Sequence, residues 1–291
     1  MAAVFFMITV TAHAQENKIY RAQALLNSGK TDEAKLCIDS VVVHPETVKM
    51  PEAWTLRAYV YFDYHKRTEK GKLNSAIRDT IVSSVLKSNA LNPDAQIQTS
   101  NNKLLNNLAV NYFNLARTLL QDSLNYERSS KAFDNFKILM KASDPAFDLT
   151  PKIIEYYQTV GYLYSEMFNK DNSNAKAMEI AKVALLKVLE IQPEDPNANM
   201  NMGLMYLNNG VNLIQSIDDV ADFKELEVIQ DNLIKLAKQS ERFLIKVYEK
   251  DKNNKKVVEA LYYNYRLLND PVKKLEFLEK CNALGIQVSV D

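Results

Sequence analysis

Three histidines and two cysteines are the side chains of this 291-residue chain best suited to metal binding or nucleophilic work. Their spacing supports neither. His44 stands beside Pro45, and His65 lies in the charged stretch DYHKRTEKGK. Neither has a Cys or a second His at ligand spacing, so no zinc site is expected. His13 falls in the apolar N-terminal segment. Cys37 and Cys281 sit among apolar residues (KLCIDSV and FLEKCNAL) and read as small buried hydrophobes. No Gly-rich phosphate loop, nucleophile elbow or His-Glu-x-x-His pattern occurs in the sequence. Glu166, Glu179 and Glu190 suit solvated helix faces better than the paired carboxylates of a glycosidase. The run Lys250, Lys252, Lys255 and Lys256 is interleaved with Asp251 and Asn, as in a solvated loop. Lys+Arg and Asp+Glu both number 36, so no global field draws nucleic acid. The expectation is a non-catalytic chain with no cofactor, no metal and no nucleic-acid partner.

What the chain does hold is a regular series of elements. Apolar residues make up 47% and charged residues 25%, ordinary for a folded protein, and only 6 Gly and 8 Pro occur. So little turn chemistry favours long helices over many strands. Prolines 45, 93, 145 and 193 each close an apolar helical run, at intervals of 48, 52 and 48 residues. A second proline restarts the chain at 51, 151 and 196. Thr150-Pro151 and Asp195-Pro196 read as an N-cap followed by Pro in the first turn, where its missing N–H costs nothing. Leu105, Leu108, Ala109, Tyr112, Leu115, Ala116 and Leu119 fall on one helical stripe. The spacing predicts six antiparallel helix hairpins, at about 16–45, 51–93, 101–145, 151–193, 196–251 and 254–285. Such hairpins cannot bury an apolar face alone and stack on their neighbours.

The side-chain pattern within these hairpins resembles the tetratricopeptide (TPR) repeat. That motif sets a bulky residue, a small one four later and an aromatic three beyond in its first helix. Trp54-Ala58-Tyr61, Leu105-Ala109-Tyr112, Tyr157-Gly161-Tyr164 and Asn199-Gly203-Tyr206 follow it, with Asn199 in a bulky place. Ala132-Phe136-Leu139 and Ala181-Leu185-Val188-Pro193 match the second helix, and GKTDEAKLCIDSVVVHP is close to a whole one. Small residues mark where two helices cross tightly. The period here is longer than the family's about 34 residues, and Tyr262 stands where a small residue is expected. The resemblance implies an all-α, right-handed superhelical solenoid over residues 15–285, with 286–291 as a tail.

It also implies a concave groove lined by the first helices. Carried onto this chain, the groove residues are Tyr59, Phe62, Asn106, Val110, Phe113, Asn114, Tyr162, Glu166, Leu204, Asn208 and Tyr263. Aromatics with amides between them suit an extended peptide; packing between repeats is the alternative role for several of them. Thr55, Asn106 and Gln158 occupy the places of the lysines with which some TPR domains clamp a carboxylate, so no such clamp is expected. The fifth hairpin is longer, with a seam at Ile229, Leu233, Leu236, Ser240, Phe243 and Val247. Asp218, Asp219 and Asp222 cluster at its turn. It reads either as a docking arm or as padding.

Residues 1–14 read as a secretory signal peptide. Ala2 to Ala12 is an uncharged, mostly apolar run ending in the small-x-small sequence Ala12-His13-Ala14, though no Lys or Arg precedes it. At roughly ten residues it is too short to span a bilayer. A buried first helix is the alternative. No Cys follows to carry a lipid, and no later segment reads as a transmembrane span. The expected function is a periplasmic or secreted interaction scaffold that binds a protein or peptide, another envelope protein, in the groove or on the fifth hairpin. The alternative is a glycan- or small-ligand-binding helical protein for nutrient uptake. A helical enzyme acting on cell-wall glycan ranks last.

Overall fold

The structure, a computed structural model, describes residues 17–69, 72, 75–121, 125–215 and 223–289. The segment read as a signal peptide and the Asp218, Asp219, Asp222 cluster lie outside these residues. Every regular element among the described residues is helical. In chain order they are α1 (described over 17–27), α2 (Thr31–Val41), a short 3-10 helix (Thr47–Lys49), α3 (Pro51–Thr68), α4 (Ala76–Ala90), α5 (Ala95–Gln121) and α6 (Tyr126–Ser143). Beyond them lie α7 (Thr150–Lys170), α8 (Ala175–Ile191), α9 (Pro196–Gln215), α10 (Phe223–Lys250), α11 (Lys255–Leu267) and α12 (Pro271–Ala283). The chain divides into two compact units, Met1–Asp148 and Leu149–Asp291.

Local chemistry sets the helix ends. Ser75, Asn174, Asn254 and Asp270 each accept a hydrogen bond from a backbone N–H in the first turn of α4, α8, α11 and α12. Asp195 does the same for α9 through Ala198 N, at 2.7 Å. At α7 the cap position falls on Leu149 without a side-chain cap bond, so Thr150 is the first helical residue and not the cap. The tight turns of the first and last hairpins pass through left-handed residues, Gly29 (φ 77°) and Asn269 (φ 51°).

In the first unit, α1, α2 and α3 bury Ala22, Ala34, Ile38, Val41, Ala53 and Leu56 together. α5 packs along α6 through a ring cluster in which Phe113 lies 5.0 Å from Phe136 and 6.1 Å from Phe133. A buried polar set ties three helices. Thr55 of α3 donates to Asn101 of α5 at 2.8 Å, and Asn101 donates to Ser88 and Asn89 of α4 at 3.0 and 2.7 Å. On the other side of α3, Arg57 donates to Asp39 of α2 (2.9 Å) and Ser84 of α4 (2.8 Å), and Tyr61 donates to Asp39 (2.8 Å).

The second unit carries the TPR packing rule in its clearest form. A Cβ on Gly161 of α7 would lie 2.5 Å from Leu185 Cδ2 of α8. One on Gly203 of α9 would lie 2.6 Å from Leu244 Cδ2 of α10. The two hairpins therefore cross at the same point of the motif, small residue under bulky residue. Ser240 adds a hydrogen bond from its Oγ to the Gly203 carbonyl, 2.8 Å. The inward stripe of α10 runs through Ala237, Ser240, Leu244 and Val247, with Phe243 stacked at its edge on Tyr206. The last hairpin closes the core with Val257, Leu261, Tyr262, Tyr265, Phe277 and Cys281. These hairpins are TPR-like.

Candidate functional site

The first helices of the second unit form a surface of mixed aromatic and amide character. Tyr162 projects from α7 and is 53% exposed. Asn197, Asn201, Leu204 and Asn208 follow one another along α9 at steps of four, three and four, which keeps them on one helix face. Tyr162, Gln158, Asn197, Met200, Asn201 and Lys256 line a cleft of about 580 Å³. Glu166 stands one turn from Tyr162 on α7 and is half-buried. Farther along, two amide pairs join α9 to α7 and the turn after it. Asn208 donates to Asn169 and Asn172 donates to Asn212, both at 2.7 Å. The cleft thus offers one open ring, an ammonium group and several amide donors and acceptors, the equipment for reading an extended backbone.

The remaining expected groove residues are placed unevenly. Leu204 and Tyr263 are half-buried and pack on the core of the second unit. In the first unit Asn106, Val110 and Asn114 are exposed along α5. Tyr59 is half-buried and donates its hydroxyl to the Ser100 carbonyl of α5, at 3.0 Å. Two residues are corrected. Phe62 and Phe113 are 8% and 5% exposed, too buried for an open surface. Phe113 belongs to the α5–α6 ring cluster, and Phe62 lies under the Lys66 ammonium, 4.3 Å from the ring centre. Phe113 lies one turn from the buried Ala109 and Ala116, on the face that meets α6, and Phe62 lies one turn from the buried Ala58 and His65. Asn197, Met200, Asn201 and Lys256 were missed. The first three lie on the stripe that includes Leu204 and Asn208, which the helical spacing could have supplied.

Two of the places that clamp lysines would take are committed to structure. Thr55 is held by Ser88 and Asn101, and Gln158 donates to Asp195, the α9 cap, at 2.9 Å.

His65 lies in the last turn of α3. It is 9% exposed and accepts a hydrogen bond from Arg78 Nε at 3.1 Å, while the guanidinium also lies 4.8 Å from the Tyr112 ring centre. Burial and the Arg78 charge hold the imidazole below its usual range, with Glu69 pulling the other way. Cys281 is fully buried, and burial pushes its thiol up, away from the reactive thiolate. Cys37 is half-buried with its thiol directed at the Lys18 carbonyl, 3.4 Å. Among the described residues no group of three or more His, Cys, Asp or Glu is placed to hold a metal ion. Among them, too, no helix is long and apolar enough to cross a membrane.

No family model matches the chain, and no curated protein matches it. Among solved structures it is similar to PilW, a type IV pilus biogenesis factor. The TM-score is 0.36 at 15% identity, covering 93% of each chain. It is also similar to the S. pombe nuclear import adaptor Nro1 (TM-score 0.37, 12% identity, covering 95% of this chain and 97% of that one). A third is human IFIT1, in a dimer with m7Gppp-AAAA (TM-score 0.36, 17% identity). There the match covers 94% of this chain and 51% of that one, so this chain spans about half the length of IFIT1. Likenesses of this strength assign neither family nor partner.

Proposed function

We propose that this chain is a non-catalytic interaction scaffold of the cell envelope that binds an extended segment of a partner protein on its first-helix surface. Residues 1–14 serve as the export leader, and the hairpins of 15–285 are the working protein. The observation that carries the reading is the α7–α9–α11 cleft. An exposed tyrosine beside a row of asparagines supplies apolar contact and hydrogen bonds that do not depend on the partner's sequence. In the first unit Tyr59, Asn106, Val110 and Asn114 are the corresponding residues. Asn208, Glu166, Leu204 and Tyr263 are the further candidates on the first helices of the second.

The test is crosslinking of the tagged full-length protein in cells, followed by fractionation and mass spectrometry of the proteins that co-purify. A reproducible envelope partner, lost on Tyr162→Ala with the fold intact, supports the reading. A cytoplasmic location of the mature chain overturns the envelope half of it. An exposed tyrosine ringed by amides also suits a sugar, so calorimetry against a glycan panel is the companion measurement. Heat from a glycan that Tyr162→Ala abolishes would assign the cleft to carbohydrate instead.

A further inference from the structure

The segment after α12 is held as a ligand is held. α12 ends at Ala283, and Gly285 turns the chain with φ 67°, a left-handed conformation that glycine adopts without strain. Gly285 N donates to Asn282 O and Ile286 N to Cys281 O, at 3.1 and 2.8 Å, which closes the helix and redirects the backbone beyond it. Residues 286–289 have no regular structure, and their burial alternates. Ile286 and Val288 are half-buried on the core of the second unit, while Gln287 and Ser289 are exposed. Alternation of this kind is that of an extended strand laid on a surface.

The surface belongs to α11. Tyr262 donates its hydroxyl to the Ser289 carbonyl at 2.9 Å, and Arg266 Nη1 donates to the same oxygen at 3.0 Å and to Ser289 Oγ at 3.2 Å. Ser289 N donates to the Tyr263 hydroxyl at 3.4 Å. Backbone groups of one residue are therefore read in both senses, carbonyl and amide, by three side chains of one helix. Tyr262 occupies the position where this motif ordinarily has a small residue, and its hydroxyl is what reaches the segment. Tyr263 is the residue that the motif's register assigns to the groove.

We propose that Tyr262, Tyr263 and Arg266 form an exchangeable docking seat for an extended segment of the pattern apolar–polar–apolar–Ser. The chain's own residues 286–289 are its resident occupant. A partner segment of the same chemistry displaces this strap and makes the same backbone hydrogen bonds. The proposal rests on the reading that first-helix surfaces bind extended segments, and it names the chemistry of one such segment. Affinity from main-chain contacts, with alternate side chains in apolar seats, is a general mode of peptide recognition.

The test uses a fluorescein-labelled synthetic peptide of residues 284–289, titrated by anisotropy into the full chain and into a chain ended after Leu284. The shortened chain binds the peptide saturably and at least tenfold more tightly than the full chain. Arg266→Ala and Tyr262→Phe in the shortened chain each weaken that binding at least fivefold, and Ile138→Ala, an exposed position of α6 outside every proposed site, leaves it unchanged. Equal binding to both chains overturns the proposal, because the peptide then sits elsewhere. No saturable binding to a shortened chain with native circular dichroism also overturns it. Where shortening unfolds the protein, Ile286→Ser/Val288→Ser in the full chain loosens the strap instead, and it must gain the peptide site or the proposal fails. A dimer of the full chain that the free peptide dissociates would assign the seat to a second copy and overturn its role for a partner. Failure of the envelope capture with success here would remove the envelope reading alone.

Discussion

Gly203 of α9 lies directly beneath Leu244 of α10, close enough that a Cβ would stand 2.6 Å from two of the leucine's side-chain carbons. Leu244 is fully buried and cannot swing aside. Gly203→Ala gains about 1 kcal/mol of helix propensity but overpacks a filled crossing, a cost of about 1–3 kcal/mol. The expected result is net destabilisation of up to about 2 kcal/mol. Gly210→Ala is the control. Its nearest neighbour is the flexible end of Leu267 at 3.0 Å, so the propensity gain offsets most of the cost. Urea titration of both variants checks the difference. Equal midpoints would mean that the small residue is not set by the crossing.

His65 makes stability depend on pH. Its folded-state pKa is lowered, first by burial and then by the Arg78 charge. The unfolded chain therefore binds the proton more readily, and stability rises with pH between the folded value and the ordinary value of about 6.5. Above that window the contribution is fully present; below it the contribution is lost. Arg78 on α4 and Glu69 at the end of α3 are the charged groups that face the ring, with the Tyr112 hydroxyl side of α5 beyond the guanidinium. The melting temperature should fall between pH 7.5 and 5.5. His65→Gln keeps an acceptor for Arg78 and should flatten that slope. An unchanged slope would place the titration elsewhere.

The parts of this chain that were legible in the sequence are those fixed by local periodicity. The stripe from Leu105 to Leu119 recurs as buried residues of α5, and Gly161 and Gly203 mark helix crossings. Those features follow from spacing along one helix and one partner helix. The motif's register assigns Phe62 and Phe113 to the groove, yet each lies one turn from buried residues of its own helix, Ala58 and His65 or Ala109 and Ala116, and Phe113 meets the rings of α6. The His65–Arg78 bond joins residues thirteen apart on two different helices, and no periodicity relates them. The strap of residues 286–289 is least legible of all. Its place depends on the Gly285 turn and on a tyrosine standing in the position of a small residue.

Asn264 of α11 is fully buried, and neither Oδ1 nor Nδ2 has a hydrogen-bond partner. A buried amide left unpaired costs about 1–3 kcal/mol. Leu has the same branching and the same number of side-chain atoms, so Asn264→Leu should raise stability by about 1–3 kcal/mol. Chemical denaturation of the variant measures this directly. A loss of stability would show that the amide is satisfied in solution.

Binding and folding can be separated by comparing Tyr162 with Phe113. Tyr162 is 53% exposed, so its removal should change stability by no more than about 0.5 kcal/mol. If it anchors a partner in the cleft, Tyr162→Ala should weaken capture by about 2 kcal/mol, roughly thirtyfold. Phe113 is 5% exposed within the α5–α6 ring cluster, and truncation to Ala should cost about 3–5 kcal/mol of stability. Loss of capture in that variant would report an unfolded unit and not a lost contact. Thermal melts and partner capture on the same preparations distinguish the two. Full capture by a folded Tyr162→Ala chain would remove the cleft as the binding surface, because no other ring there is as open to a partner.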